Sequence, residues 1–258
     1  METLKIIKIG GNIIDDATAL ENFLVAFSEI EGPKVLVHGG GKLATKLAQQ
    51  MNVKVEMVAG RRKTNAETLD IITMVYAGKI NKNIVASLQQ KSCNSIGFTG
   101  ADGNTILSIK RPVKEIDYGF VGDVIHVNTS VLETLLSVGI TPVFCAITHD
   151  NNGQLLNTNA DTIASELAIG FAKKYQTELY YCFEKNGVLL DVHNDDSVIE
   201  NINQEKYQEL LEGKIIADGM LPKLNNCFHA IDQKVHKVCI GKSEMLYNQN
   251  SKFTTIHA

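Results

Sequence analysis

The chain has 258 residues, of which 44% are hydrophobic and 21% are charged, and its formal net charge is −4. This composition supplies ample apolar material for a core and excludes an intrinsically disordered chain. The slightly acidic charge balance lacks the basic footprint of nucleic-acid-binding proteins, so no nucleic-acid partner is expected.

The cysteine pattern and the apolar runs bear on compartment. Lys5 and Lys8 interrupt the first apolar segment, which argues against a signal peptide. No apolar run approaches the roughly 20 residues needed to span a bilayer, so we expect a cytoplasmic protein with no membrane partner. The odd cysteine count, without C-x-x-C spacing, predicts neither a disulfide framework nor a cysteine-based metal site: Cys93, Cys145, Cys182, Cys227 and Cys239.

The first elements along the chain form two similar units. Residues 4–9 predict a strand that stops at two glycines, and residues 15–29 predict a helix. Residues 35–37 predict a second strand that stops at three glycines, followed by a helix over residues 42–51. The repeated order of strand, glycine turn and helix indicates parallel strands joined by crossovers.

The later pattern continues the alternation. A long helix is predicted to begin at Ala66 and end at Lys91, and Asn159 is predicted to cap another helix. The other predicted strands cover residues 94–98, 105–109, 121–127, 141–147, 179–183 and 235–240. The other predicted helices cover residues 129–137, 160–172, 203–211 and 221–231. The fold class is α/β, with a lobe boundary near Ala172.

Glycines directly after two strands are the first chemical signal. Glycine lets backbone N–H groups approach an anion, and the following helix N-terminus adds a positive dipole. The alternative is that these are only tight turns. Lys8 lies at the end of the first strand, where it is either a solvated edge lysine or a cation aimed at a phosphate; spacing alone leaves both open.

Three familiar glycine motifs are relevant to these segments. Residues 39–44 match the dinucleotide signature G-x-G-x-x-A in a strand-to-helix context. A P-loop is excluded, because His236 stands where its first glycine would precede Gly241-Lys242-Ser243. The esterase oxyanion loop has no accompanying G-x-S-x-G nucleophile elbow.

Polar side chains gather at three further junctions. Residues 157–161 join a strand to a helix; a helix cap explains Asn159 and Asp161 but not Asn157. Lys223 lies in the first turns of another helix, where a cation opposes the dipole and a bound anion would explain it. Residues 60–64 carry three cations, in either a solvated loop or an Arg fork for a carboxylate.

In combination these segments resemble the amino acid kinase superfamily, and within it the branch that phosphorylates N-acetylglutamate. The matching segments appear in the family's order and span nearly the whole chain: residues 7–11, 37–41, 60–64, 77–82, 157–161 and 218–223. The dinucleotide interpretation becomes less favoured, because it gives Lys8, the Asn/Asp junction and Lys223 no role.

The resemblance implies a three-layer αβα sandwich with a mainly parallel open sheet and two lobes. Residues 1–172 would bind the acylated amino acid, and residues 173–258 would bind ATP. The implied reaction moves the γ-phosphoryl group of ATP to the side-chain carboxylate of N-acetyl-L-glutamate, in arginine biosynthesis. Mg²⁺ would be held mainly by ATP phosphates rather than by protein ligands. The helix from Ala66 to Lys91 would form a homodimer interface.

The resemblance also implies roles for individual residues. Lys8 and Lys223 would stabilise the transferring phosphoryl group, and Asp161 would orient both lysines. The remaining roles are phosphoryl binding by Gly10 and Gly11, and substrate binding by Gly40, Gly41, Arg62, Asn157 and Asn159. The nucleotide would contact Glu184, Lys185, Asn186, Gly187, Val188, Leu189, Ile215, Ile216 and Ala217.

Some positions depart from the family pattern and leave alternatives. Glu184-Lys185 replaces the usual Asp-Val, which puts the adenine and ribose contacts in question. Arg61 and Lys63 enlarge the cationic segment, so an N-succinylglutamate kinase is an alternative, as are other kinases of the superfamily. A sensing module without turnover is a different class, against which the retained lysines and Asp161 argue.

The N-terminus leads to one expectation about regulation. Arginine-inhibited members of the family carry an additional N-terminal helix, whereas the first strand predicted here begins by Leu4. We therefore expect a dimer that is insensitive to arginine.

Overall fold

The structure is a computed structural model, and it describes residues 1–58, 60–213, 220–248 and 250–258. Within these residues the strands are β1 (Thr3–Ile9), β2 (Lys34–His38), β3 (Glu56–Val58), β4 (Arg61–Lys63), β5 (Ser95–Phe98), β6 (Ile106–Lys110), β7 (Gly122–Val127), β8 (Thr141–Cys145), β9 (Ile147–His149), β10 (Leu155–Asn157), β11 (Gln176–Cys182), β12 (Asn201–Ile202), β13 (Lys237–Gly241) and β14 (Thr254–Ile256). The helices are α1 (Gly11–Asp15), α2 (Ala17–Glu29), α3 (Gly41–Gln50), α4 (Ala66–Thr73), α5 (Asn81–Gln90), α6 (Ser130–Ser137), α7 (Ala160–Phe171), α8 (Gln204–Glu212) and α9 (Leu221–Asp232).

The main sheet has the strand order β12-β14-β13-β11-β1-β2-β8-β5. From β13 to β5 the neighbouring strands are parallel, whereas β14 runs antiparallel to β13. β1 lies near the middle, paired with β11 on one side and β2 on the other. The carboxyl ends of β1, β2 and β11 therefore lie side by side, which is where open parallel sheets bind ligands.

Helices cover both faces of this sheet. Every residue of β2 and of β8 is buried, so neither face of the central sheet is open to solvent. α7 packs on β1, β2 and β11 and contacts α9, while α2 and α5 form a second contacting pair. The predicted α/β class with a mainly parallel sheet is confirmed. All five cysteines are free and buried.

Two smaller sheets lie beside the main one. β10, β9, β6 and β7 form a four-stranded sheet in which β6 and β7 pair antiparallel, and β3 pairs with β4 antiparallel. The segment that precedes β7 joins these sheets, because Thr64 pairs with Gly119 and Val121 pairs with Asn157. This connection places β4 next to β10.

The long predicted helix is continuous but not uniform. α4 passes into a π-helical segment, Met74–Ile80, which continues directly into α5. The amide of Asn81 donates to the carbonyl of Tyr76, five residues earlier, as a π-helix requires. The apolar residues that predicted this helix are buried inside the protomer: Leu69, Ile72, Val75, Tyr76, Ile80, Ile84 and Leu88.

Several predicted boundaries were wrong. The predicted strand over residues 141–147 is two strands, because β8 ends at Cys145 and β9 joins the smaller sheet. The helix predicted over residues 15–29 begins at Ala17, because the Asp16 carboxylate accepts from the amides of Thr18 and Ala19 and caps it. The cationic residues 60–64, expected to be a loop, contain β4.

Among the described residues, no helix combines the length and the apolar character that crossing a bilayer would require.

Candidate active site

Three charged side chains from three elements meet at the carboxyl edge of the main sheet. Lys8 is in β1, Asp161 is in the first turn of α7, and Lys223 is in the first turn of α9. Lys8 Nζ lies 2.8 Å from Asp161 Oδ1, and Lys223 Nζ lies 4.0 Å from Asp161 Oδ2. Between the two open interpretations of Lys8, the structure favours the lysine that points into the crevice.

The electrostatics of this cluster keep the carboxylate of Asp161 charged. Burial works to raise the pKa of Asp161, but the positive charges of Lys8 and then Lys223 outweigh burial and hold that pKa below its ordinary value. One carboxylate is shared by two ammonium groups, so the cluster carries a net positive charge. The three side chains retain between 14% and 20% exposure, so a ligand can reach them. The cluster is suited to an anion with more than one negative charge.

Two aromatic rings contact Lys223, and neither belongs to a motif that the sequence analysis identified. Lys223 Nζ lies 4.8 Å from the ring centroid of Phe183 and 5.7 Å from that of Tyr181, both within cation–π range. The hydroxyl of Tyr181 donates to the main-chain oxygen of Asp161 at 3.1 Å. Burial holds the pKa of Tyr181 far above its ordinary value, so the hydroxyl stays a donor.

The glycine turn after β1 begins at Gly10, two residues after Lys8 of the charged cluster. The amide of Gly10 donates to the carbonyl of Cys182 at 3.2 Å, so this N–H ties β1 to β11 and is not free for a phosphoryl oxygen. Gly11 is the first residue of α1, and the first amides of a helix have no partner within it.

The turn after β2 needs glycine for a steric reason. Gly40 has φ +153°, and a Cβ there would overlap Ile80 Cδ1 and lie 3.0 Å from Tyr76 Cδ1. The π-helical segment thus packs directly on this backbone. The turn also approaches the charged cluster, because a Cβ at Gly39 would lie 3.9 Å from Ala160, the residue before Asp161.

His38, the last residue of β2, is fully buried behind this turn. Its Nδ1 lies 2.8 Å from the carbonyl oxygen of Gly39, which can only accept, so Nδ1 carries the hydrogen. Burial lowers the pKa of His38 to about 4 despite this hydrogen bond. The ring is neutral at physiological pH and supports the turn rather than acting as an exposed base.

Arg62 extends from β4 toward the same turn. Its Nη2 donates to the carbonyl of Gly41 at 2.9 Å and to Thr45 Oγ1 at 2.8 Å, and the residue is 9% exposed. The guanidinium therefore lies beside the N-terminus of α3, where the dipole is positive. The positive guanidinium and the positive end of the helix dipole therefore face each other, and a bound carboxylate would stabilise this arrangement.

The two asparagines of the β10–α7 junction differ in their contacts. Asn159 Oδ1 accepts from the amide of Asp161 at 2.7 Å, which confirms the predicted helix cap. Asn157 Nδ2 donates to Thr64 Oγ1 at 3.0 Å, so this side chain is linked to the strand that carries Arg62. Arg62 and Asn157, which the sequence analysis identified for different reasons, are therefore brought close together in the fold.

The segment after β11 forms an ordered turn. Glu184 accepts from Asn12 Nδ2 at 2.9 Å, Lys185 pairs with Asp195 at 2.7 Å, and the amide of Val188 donates to Thr254 Oγ1 at 2.8 Å. Asn186 Nδ2 donates to the carbonyl of Asp195, Gly187 is buried, and Leu189 pairs with Val198. Ile215, Ile216 and Ala217, the other expected nucleotide contacts, lie outside the described residues.

A family comparison agrees with this arrangement. The sequence matches the model of the amino acid kinase family over residues 3–242. The chain belongs to the amino acid kinase family. An acetylglutamate kinase of Cytophaga hutchinsonii is 55% identical over 247 residues, which cover 95% of this chain and 94% of the relative. An acetylglutamate kinase of Methanopyrus kandleri is 33% identical over 94% of this chain and 96% of its own. The expected class, a phosphotransferase of the amino acid kinase family, is confirmed.

Solved structures share the fold. The structure of smu.665 from Streptococcus mutans UA159 has a TM-score of 0.77 at 26% identity, covering 99% of this chain and 98% of its own. Carbamate kinase from Giardia lamblia bound to AMP-PNP has a TM-score of 0.74 at 15% identity, covering 99% and 98%. The amino acid kinase fold therefore extends over nearly the whole chain.

Proposed function

We propose that this chain transfers the γ-phosphoryl group of ATP to the side-chain carboxylate of N-acetyl-L-glutamate, giving N-acetylglutamyl 5-phosphate for arginine biosynthesis. The observation that carries the proposal is the pairing of Lys8 and Lys223 with one carboxylate, Asp161, at the end of the central strand. The acetylglutamate kinases that are 51–55% identical to this chain support the choice of acceptor.

The charged cluster fits phosphoryl transfer. In the transition state, negative charge spreads over the equatorial oxygens of the phosphoryl group, and preorganised cations lower the barrier. Lys8 and Lys223 provide such cations from two elements, and Asp161 keeps their ammonium groups oriented. The acceptor carboxylate is already ionised at neutral pH, so the reaction needs no general base.

The acceptor end of the site fits an acylated amino acid. Arg62, held against Gly41 at the start of α3, would bind the α-carboxylate, with Asn157 and Asn159 alongside. The amides of Gly40 and Gly41 would contact substrate oxygens. The amide of Gly11 would contact the phosphoryl group, whereas that of Gly10 is taken by the carbonyl of Cys182. Lys63 lies 3.3 Å from Glu56, which compensates its charge and favours an acetyl group over an acyl group with its own carboxylate.

ATP would lie over the part of the sheet that the C-terminal lobe contributes. We propose residues 1–172 as the acceptor lobe and residues 173–258 as the nucleotide lobe, with the segment from Glu184 to Leu189 against the nucleotide. Within the described residues no group of three His, Cys, Asp or Glu side chains is placed to bind a metal ion. We propose that Mg²⁺ is coordinated mainly by the phosphate oxygens of ATP, where its charge would offset theirs.

We also propose that the protein is a cytoplasmic homodimer. The buried apolar residues of the long helix belong to the protomer core, so the interface proposal rests on the outer face of that helix. Met74 is 50% exposed there, and Gly78, one turn on, is exposed with open space around it. Around a two-fold axis, the bulky apolar side chain of one copy can pack against the glycine of the other copy, and the reverse contact forms by symmetry.

An acceptor panel tests the function. ADP release would be measured with ATP and, separately, N-acetyl-L-glutamate, N-succinyl-L-glutamate, L-glutamate and carbamate. We expect turnover with N-acetyl-L-glutamate to exceed that with every other acceptor. Preference for N-succinyl-L-glutamate would replace the proposed acceptor, and ADP release with none of the four would favour a binding module without turnover.

A further inference from the structure

Thr64 lies between Arg62 and Asn157, the two side chains proposed to bind the acceptor, and the proposed function gives Thr64 itself no role. It is fully buried at the end of β4. Its hydroxyl donates to the main-chain oxygen of Arg62 at 3.2 Å and accepts from Asn157 Nδ2 at 3.0 Å. One hydroxyl thus touches the strand that presents Arg62 and the side chain of Asn157, 93 residues away.

The direction of these hydrogen bonds fixes the Asn157 amide. A carbonyl oxygen can only accept, so the single hydrogen of the Thr64 hydroxyl points at Arg62. The hydroxyl oxygen is then an acceptor toward Asn157, which must present Nδ2 and not Oδ1. Asn157 Oδ1 is thereby turned away from Thr64, and no hydrogen bond among the described residues uses it. The opposite amide orientation would set two acceptors against each other.

The main chains here are held independently of this hydroxyl. The amide of Thr64 donates to Tyr118 at 2.9 Å, the amide of Phe120 donates to Thr64 at 2.7 Å, and the amide of Asn157 donates to Phe120 at 2.9 Å. Gly119 makes this close approach possible, since it has φ +72° and a Cβ there would overlap the Thr64 carbonyl. Loss of the hydroxyl should therefore release the Asn157 side chain without separating the strands.

We propose that Thr64 is a positioning residue for the acceptor, and that its hydroxyl locks Asn157 in the rotamer and amide orientation that meet the substrate bound to Arg62. The proposal rests on the proposed function for the identity of the acceptor. Thr64 does not touch the reacting atoms, so it should affect acceptor binding and leave the chemical step and ATP binding nearly unchanged.

Three variants separate this role from a structural one. Thr64→Val keeps the shape and removes the hydroxyl, and we expect the KM for N-acetylglutamate to rise roughly tenfold, because a polar group loses its partner. kcat, the KM for ATP and the unfolding midpoint should stay close to wild type. Thr64→Ser restores the hydroxyl and should recover most of the acceptor KM. Thr177→Val is the matched control: Thr177 is equally buried, its hydroxyl has no partner within the described residues, and the kinetics should not change.

A double-mutant cycle tests whether Thr64 acts through Asn157. In an Asn157→Ala background, Thr64→Val should raise the acceptor KM no further, whereas independent effects would multiply. A wild-type KM in Thr64→Val, equal impairment of Thr64→Ser, or a full effect in the Asn157→Ala background would each overturn the proposal. If the wild-type chain turns over another acceptor of the panel instead, the proposed acceptor is wrong, and the same KM ratios measured with that acceptor still test Thr64.

Discussion

His38 Nε2 lies 3.0 Å from Asn81 Nδ2, which joins the end of the central strand β2 to the first residue of α5. Since Nδ1 of His38 carries the ring hydrogen, Nε2 accepts from the Asn81 amide, which also donates to the carbonyl of Val143 at 2.9 Å. The neutral imidazole thus links β2, the glycine turn, the long helix and β8. A second ring proton would leave this network with two donors facing each other.

This contact predicts a pH-dependent stability. The unfolded chain binds a proton at His38 near pH 6.5, whereas the folded chain does so only near pH 4. Between these values the unfolded state binds more protons, so the free energy of unfolding falls as the pH decreases. From pH 7 to pH 5, wild type should lose about 2 kcal/mol more than His38→Gln, measured by urea unfolding. Equal losses in the two proteins would show that His38 titrates normally in the fold.

The charged cluster predicts a loss of turnover without a loss of fold. Lys8→Ala and Lys223→Ala should each reduce kcat roughly 10²–10³-fold, the usual cost of removing one preorganised charge. Lys5→Ala is the control, because Lys5 is on the same strand but on the opposite face from Lys8. Near-wild-type turnover in either of the first two variants would remove the assigned role.

The acceptor end predicts an effect on KM alone. Arg62→Lys keeps the charge but loses the planar fork, so the KM for N-acetylglutamate should rise about tenfold while the KM for ATP changes little. Arg61→Lys serves as the control, because the neighbouring Arg61 is exposed. If Arg61→Lys shows the defect and Arg62→Lys does not, the substrate arginine has been assigned one residue too late.

The outer face of the long helix predicts the state of association. Light scattering at micromolar concentration should give about twice the chain mass of 28.3 kDa. Met74→Asp should shift the protein toward the monomer, because a charge would be buried without a partner. Met51→Asp, at a residue that is also 50% exposed but at the end of α3, should leave the mass unchanged. A wild-type monomer at this concentration would contradict the proposal.

Much of the fold was predictable because its signals are local. β1 and β2 are apolar runs that end at glycines, and each is followed by a helix with a clear apolar face. Lys8 was a candidate on its position after an apolar run and before two glycines, but only the family resemblance distinguished it from a solvated edge lysine. The cap at Asn159 needed only the preference of asparagine for that position.

The rest depended on contacts between distant residues. β3 and β4 have three residues each, and Arg61-Arg62-Lys63 has no apolar alternation, so only the antiparallel pairing with β3 shows that this segment is a strand. Tyr181 in β11 and Phe183 directly after it read in sequence as ordinary residues of the strand predicted over residues 179–183. Thr64 ends the matching segment 60–64 but was given no role there, and its importance appears only once Asn157 is placed next to it.

The π-helical segment from Met74 to Ile80 has a consequence for how this chain can change. A π turn holds one more residue than an α turn, and one residue rotates a helix by about 100°. Deleting a single residue from the segment would restore regular α geometry and keep the flanking turns in register, yet it would take Tyr76 or Ile80 off Gly40. We therefore expect the helix to accept exchanges of residues more readily than any change in their number. The number of residues between Arg62 and Asn81 should therefore be constrained as strongly as the identity of the side chains there.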